Sequence, residues 1–384
     1  MDERVLAERL ITYDTSTSDG LRAAVGFVKG WLEAREVPVT GREFGGLPVV
    51  LADVGPADGP CVVLHGHLDV VPAHEEQFQP RVEGDRLIGR GAYDMKGGLA
   101  AMMLALHDVA GNGKVRVRFV CVPDEESDNL DFRCTEALVE EGLRGDFAIT
   151  GEPTDLHIGV QAKGVLAVRV EVLGTAAHGS TPWVGDNAIL KAYDMFRRIE
   201  TLRFSRESSD LFDRPSINIA RIIGGDAFNK VPDRCTMDVD IRFLPNQNPG
   251  DILADIRALG DDVRIVKTFQ RAPARVSRAN PYVRALREAV SNSLEDEALS
   301  VGRDGASDAI SFLEAGVPAV EFGPTGGGHH GPDEWVSIES LGLYRGALRD
   351  FVSGLPEWLA RDEREAADPT RPRPPLRAVD GGLS

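Results

Sequence analysis

Apolar residues recur at helical spacing over residues 5–35 and are interrupted by the polar run 15–20, so two helices open the chain, the second capped from within that run. Two short β-branched runs bounded by glycine or proline, Leu47–Val54 and Cys61–His67, predict strands. The second is apolar until its histidines, the pattern of a central strand covered on both faces. Residues 97–109, rich in alanine, leucine and methionine, predict a buried helix, and residues 114–122 a further strand. Strand, helix and strand in alternation predict an α/β sheet whose sites lie at the strand ends.

The period changes after Gly164. Residues 165–173 alternate apolar and polar positions, as a half-exposed antiparallel strand does, and a loop containing His178 leads to a helix over 187–199. Two more alternating strands, 216–223 and 235–243, precede a last helix and strand that end near Phe269. A β-α-β-β-α-β order of this length predicts a compact α+β insert. From Pro273 the chain returns to helices and an apolar strand at 319–322. The expected organisation is a discontinuous domain made of residues 1–163 and 271–365, an inserted domain over 164–270, and a flexible tail over 366–384 rich in proline, arginine, aspartate and glycine.

Composition narrows the function. The 384 residues are too many for one comfortable core, and 42% hydrophobic content suffices for two. A formal charge of −18 repels phosphate backbones and anionic lipid surfaces, so neither nucleic acid nor a membrane is an expected partner. With no signal-peptide pattern at residues 1–4, no apolar run long enough to span a bilayer, and four cysteines without a C-x-x-C pair, the chain reads as cytoplasmic, its thiols as small buried hydrophobes.

Five scattered segments carry candidate chemistry: H-G-H-L-D at 65–69, G-R-G-A-Y-D at 89–94, D-E-E at 124–126, G-E-P-T at 151–154 and H-H-G-P-D-E at 329–334. Taken singly, each has an ordinary structural explanation. His65 and His67 read equally as core histidines, Asp94 as a helix cap, and Glu125, Glu126 and Glu152 as solvated loop carboxylates. Taken together near strand ends, two histidines and three carboxylates with a glutamate to spare are the inventory of a two-metal hydrolase. Asp69, two residues beyond His67, is placed to fix its tautomer, and adjacent Glu125 and Glu126 point apart, so one can bind metal while the other serves as a base. The triple glycine before His329 suggests that something packs closely on its backbone.

These segments, from H-G-H-L-D-V-V-P to H-H-G-P-D-E, resemble those of the dinuclear metallopeptidase and deacylase family that contains succinyl-diaminopimelate desuccinylase, acetylornithine deacetylase, aminoacylase and glutamate carboxypeptidase. The resemblance spans residues 1 to 365. It implies an α/β fold, a zinc-peptidase-like catalytic domain with a mixed central sheet flanked by helices, and a ferredoxin-like inserted domain that forms a homodimer. It makes Asp94 the bridge between two divalent ions, zinc by expectation, with cobalt or manganese acceptable to the same ligands. His67 and Glu152 then hold one ion, Glu126 and His330 the other, and Glu125 is the general base. The resemblance also implies that His178 reaches a partner subunit's site to stabilise the oxyanion, that Asn229 serves the same site, and that Arg242 pairs with a substrate carboxylate. The loops 303–308 and 323–326, the latter with Thr325, are expected to line the pocket. The expected reaction is removal of an acyl group from an N-acyl amino acid with a free carboxylate, as a desuccinylase or deacetylase does. Cleavage of short peptides by a dipeptidase or carboxypeptidase, or metal binding without turnover, are the alternatives.

Overall fold

The computed structural model describes residues 2–127, 132–260, 263–294, 298–305 and 308–367. Apart from the end of a helix that runs to Ala367, the expected tail lies outside them, as do residues 306 and 307 of the first pocket loop. Among the described residues, nine strands form one mixed sheet. Its order is Val39–Phe44, Leu47–Val54, Arg116–Val122, Cys61–His67, Phe147–Thr150, Ala319–Glu321, Ile158–Ala162 and Ala274–Arg275, with Ser300–Arg303 also paired to Ile158–Ala162. Cys61–His67 runs parallel to both of its neighbours, so three strands end side by side.

The apolar run of this central strand has the cause expected of it. Val62 and Leu64 enter one core, while Val63 enters another on the opposite face, because successive side chains leave a strand on opposite sides. The larger core is closed by the helices Glu3–Ile11, Ser18–Glu33, Gly97–Asp108, Pro281–Leu294 and Ile338–Ala367. The smaller is closed by Cys134–Glu140 and Ala309–Glu314. Gly97–Asp108 is buried on all sides from Gly97 to Leu106, which explains why its sequence lacks a polar face. Thr17 caps Ser18–Glu33 by accepting the N–H of Gly20, a contact worth about 1 kcal/mol.

Four antiparallel strands form a second sheet, ordered Ser216–Gly224, Arg234–Phe243, Gly164–Leu173 and Val263–Arg271. Helices Ala188–Ile199 and Pro249–Arg257 cover one face. Leu166, Val168, Val170 and Val172 alternate inward against Met237, Val239 and Ile241, and this sheet has its own core. The polar positions of the same strands make a charge ladder in direct register. Asp238 lies between Arg169 and Arg221 and accepts from both. A third, short sheet joins Arg81–Glu83 and Arg86–Ile88 to Trp335–Ser337 and Gly326–Gly327, which ties the segment before Asp94 to the segment around the last histidines.

All four cysteines are free thiols; Cys121, Cys134 and Cys235 are buried, in keeping with the packing role expected of them, whereas Cys61, at the start of its strand, is only half-buried. No helix among the described residues is long and apolar enough to cross a membrane.

Candidate active site

Four of the ligand-bearing segments follow parallel strands and emerge at their carboxyl ends. His67 is the last residue of Cys61–His67, Glu125 and Glu126 follow Arg116–Val122, Glu152 follows Phe147–Thr150, and His329 and His330 lie on the connection that leaves Ala319–Glu321, just after the short strand Gly326–Gly327. Asp94 comes from an irregular turn, Ala92–Lys96, that leads into the buried helix. It caps nothing. Its side chain meets His67 Nε2 at 2.9 Å through one oxygen and hydrogen-bonds His329 through the other, with His330 Nε2 3.5 Å from that second oxygen.

Ligand-type atoms gather into two groups that share Asp94. One is His67, Asp94 and Glu152, and the other is Asp94, Glu126, His329 and His330, each group lying within 4.8 Å. The chemistry of the first group calls for a positive ion. His67 Nδ1 lies 3.0 Å from the backbone carbonyl of Asp69, which can only accept, so that nitrogen holds the proton. With the ring neutral, Nε2 turns a lone pair toward an Asp94 oxygen, a contact that only a cation or a second ring proton relieves; burial opposes that second proton, but the hydrogen bonds to Asp69 and Asp94 outweigh it and raise His67 well above its ordinary value. Imidazole nitrogens and carboxylate oxygens together suit zinc, cobalt or manganese.

Electrostatics agree with this reading. Burial, and after it the charge of Asp94, drives Glu152 well above the usual carboxylate range. Burial likewise pushes Glu125 up to about 8, with Asp308, Asp94 and Glu126 adding to the effect against the pull of His67. Burial would raise Asp94 too, but hydrogen bonds from His329, His330 and His67 outweigh it and hold the group well below its ordinary value. Crowded carboxylates in a partly dry site resist ionising together, and cations remove that penalty.

The two histidines of H-G-H take different parts. His65 belongs to neither group. It is buried against Phe312, and its Nε2 donates at 2.9 Å to Thr135 Oγ1, whose hydroxyl donates in turn to Asp308 at 2.8 Å. Burial lowers its pKa to about 4, so it is a neutral core histidine. Asp69 lies beside His67, as its spacing predicts, but its backbone carbonyl is the nearer acceptor, with Oδ1 at 3.5 Å. Its carboxylate instead accepts the backbone N–H groups of Glu125 and Glu126.

The sequence reading assigned only one residue of the H-H pair. His329 also reaches Asp94, which regular extended backbone would forbid because neighbouring side chains diverge. His330 has φ +58°, a left-handed conformation, and the two rings end 4.2 Å apart on one side of the loop. The doublet itself was the available signal. The preceding glycines have the close neighbours expected of them, since a Cβ on Gly326 would meet the Trp335 carbonyl at 2.3 Å and the Tyr93 ring at 2.5 Å.

A cavity of about 330 Å³ opens over these groups, and Arg133, Arg242, Arg271 and Arg303 stand on its walls. Its remaining lining includes Glu125, Glu126, Glu152 and both histidines. Residues 63–353 match the Peptidase family M20/M25/M40. The chain belongs to this family. It is a metallohydrolase that acts on amide bonds. The succinyl-diaminopimelate desuccinylase of Leptothrix cholodnii is 30% identical over an alignment that covers 91% of this chain and 98% of that one. Among solved structures, a family metallo-carboxypeptidase from Sulfolobus solfataricus superposes with a TM-score of 0.75 at 19% identity, covering 92% of this chain and 99% of that one. A dinuclear metal-binding peptidase of the family from Bacillus subtilis gives 0.68 at 16%, covering 92% and 97%.

Of the other residues named from sequence, Arg242 lines the cavity, with its Nε 3.1 Å from both oxygens of Asp240. Thr325 does not. Its backbone N–H donates to Ser340 Oγ and its carbonyl accepts from Ser337 N. His178 and Asn229 are also absent from the cavity wall and are instead held together, Gly179 N donating to the Asn229 carbonyl at 2.7 Å. His178 is exposed, with Nδ1 2.8 Å from Ser180 Oγ.

Proposed function

We propose that the chain hydrolyses the amide bond of an N-acyl amino acid that carries a free carboxylate, with Glu125 as general base. The observation that carries this reading is the position of Glu125. It stands in the cavity beside both ligand groups yet belongs to neither, and a carboxylate held among ligands without being one is most simply explained by proton transfer. That argues against a homologue that binds metal without turnover.

His67, Asp94 and Glu152 would hold one divalent ion, and Asp94, Glu126 and a histidine of the 329–330 pair the other. Bound there, the ions supply the positive charge that acidifies water and polarises the scissile carbonyl. Glu125 takes a proton as the water oxygen bonds to the carbonyl carbon. It returns that proton to the amide nitrogen as the C–N bond breaks, which leaves a carboxylate and an amine.

Recognition rests on one of the cavity's arginines. Arg242 pairs with the substrate's α-carboxylate in the reading carried from sequence. Arg133, Arg271 and Arg303 stand on the same walls, Arg271 paired with Glu136 and Asp308 and Arg303 with Glu321, so the preference for an N-succinyl group rests on the name of the Leptothrix relative. Peptidase action is the second reading, supported by the carboxypeptidase likeness in fold.

A homodimer completes the proposed site. Exposed apolar residues gather at one edge of the smaller sheet, with Leu190 and Tyr193 on its helix and Ile222 and Ile223 on the edge strand. An unpaired strand edge with apolar neighbours suits a second copy. His178 and Asn229, tied together away from their own chain's cavity, are available to that copy's site.

Metal analysis followed by hydrolysis of N-succinyl, N-acetyl and dipeptide substrates tests the proposal. Two ions per chain and preference for N-succinyl substrates are expected. Turnover of dipeptides alone would establish the second reading, and two bound ions with no turnover of any substrate would leave the binding homologue.

A further inference from the structure

Glu334, four residues beyond His330, is 1% exposed and has no part in either ligand group. Its carboxylate is nonetheless saturated. Oε1 accepts the backbone N–H of Tyr93 and of Asp94, each at 3.0 Å. Oε2 accepts the backbone N–H of Gly91 at 3.0 Å and Nη1 of Arg90 at 2.6 Å. The residue's own carbonyl accepts Gly89 N at 2.9 Å, and Arg90, itself 3% exposed, sends its Nη2 to the carbonyl of His330 at 3.0 Å. One buried ion pair therefore stitches the loop that carries Asp94 to the loop that carries His329 and His330.

We infer that Glu334, paired with Arg90, is a positioning residue that sets where Asp94 stands against the histidine pair, and through it the spacing and affinity of the two metal positions. The inference rests on the reading of Asp94 as shared ligand. The physical reason for a charged clamp is the donor count. Four N–H groups converge on two oxygens, and only a carboxylate supplies acceptors on both sides without a proton of its own. Gly91, at φ +78°, lets the backbone bend so that these N–H groups point at one side chain, and a Cβ there would meet Val70 at 2.7 Å. Fixing the backbone nitrogen of Asp94 fixes the origin of the one side chain that both ligand groups share.

The substitution Glu334→Gln replaces one acceptor with an NH2 that faces two donors, and Glu334→Asp draws the carboxylate back by about 1.5 Å, one C–C bond. Cobalt(II) titrations of wild-type and variant full-length protein, followed by the visible absorption of the bound ion, read the geometry of the site directly. Glu334→Gln is expected to weaken cobalt binding by about 10- to 100-fold and to alter the cobalt spectrum, with Glu334→Asp intermediate in both. A folded Glu334→Gln protein with wild-type cobalt affinity and spectrum would overturn the inference. If that variant does not fold, Arg90→Lys decides, because it keeps a positive charge against Glu334 but gives up the bond to the His330 carbonyl. Weakened binding and a changed spectrum support the clamp, and wild-type values refute it. The stoichiometry of the wild-type protein tests the underlying reading separately. One ion per chain would refute the shared ligand while the ratio of variant to wild-type affinity still judged the clamp, and no ion at all would sink both.

Discussion

The carboxylate of Asp69 accepts the backbone N–H of Glu126 at 2.8 Å and, through its other oxygen, that of Glu125 at 3.2 Å. A single side chain thus sets the direction in which two adjacent glutamates leave the backbone, while its carbonyl orients His67. Asp69→Asn leaves the carbonyl in place and turns an NH2 toward one of the two N–H groups. We expect kcat to fall about 10- to 100-fold with KM little changed. Steady-state kinetics check this, and a wild-type kcat would show that the loop keeps its shape unaided.

Glu125→Gln preserves size and removes the basic oxygen. Metal content should stay at the wild-type value while hydrolysis falls by about 10²- to 10⁴-fold, the usual contribution of a general base. Metal analysis and initial rates on one preparation separate the two effects. Turnover within a factor of a few of wild type would end the role given to Glu125.

If His178 serves a second copy's site, two inactive variants should repair each other. In a mixed dimer of His178→Ala and Glu125→Gln chains, one site has both lesions and the other has none. Equal mixing with statistical exchange should restore about a quarter of wild-type activity. Activity that never rises above the sum of the separate variants, despite subunit exchange verified by mass, would count against the shared site.

The Arg169–Asp238–Arg221 ladder predicts a pH signature in the insert. The hydrogen bond from Arg169 is the largest cause holding Asp238 below its ordinary value of 3.8, with Arg221 adding to it. A depressed carboxylate pKa contributes stability that is present above 3.8 and lost as pH falls through the lower folded value. Asp238→Asn should therefore cost about 1 kcal/mol near neutral pH, and the gap from wild type should close in strong acid. Thermal unfolding of both proteins at several pH values measures it. A gap that persists unchanged below pH 3.8 would mean that the loss is one of packing.

Much of the architecture was legible in the chain because burial on one face or two leaves a period in the sequence. The apolar run that opens Cys61–His67 and the alternation of Gly164–Leu173 correspond to a central strand and to a sheet covered on one face. The ligand segments were legible because metal chemistry restricts residue type and because they sit beside glycines and prolines that mark strand ends. Less legible was the division of labour within each segment. H-G-H does not say that His65 will bond Thr135 in the core while His67 faces Asp94, since both positions are equally suited to either part.

By itself, the sequence determined the main strands and helices, the α+β insert, the family and the segments that carry metal-ligand residue types. Each of these depends on residue type and local period. The tertiary structure decided which groups meet: that His329 joins His330 on Asp94, that Asp69 spends its carboxylate on two backbone N–H groups, and that Glu334 pins the Asp94 loop from 240 residues away. The reason is physical. Hydrogen-bond partners remote along the chain are chosen by the packing that brings them within about 3 Å, and nothing in the local pattern of either segment encodes that distance.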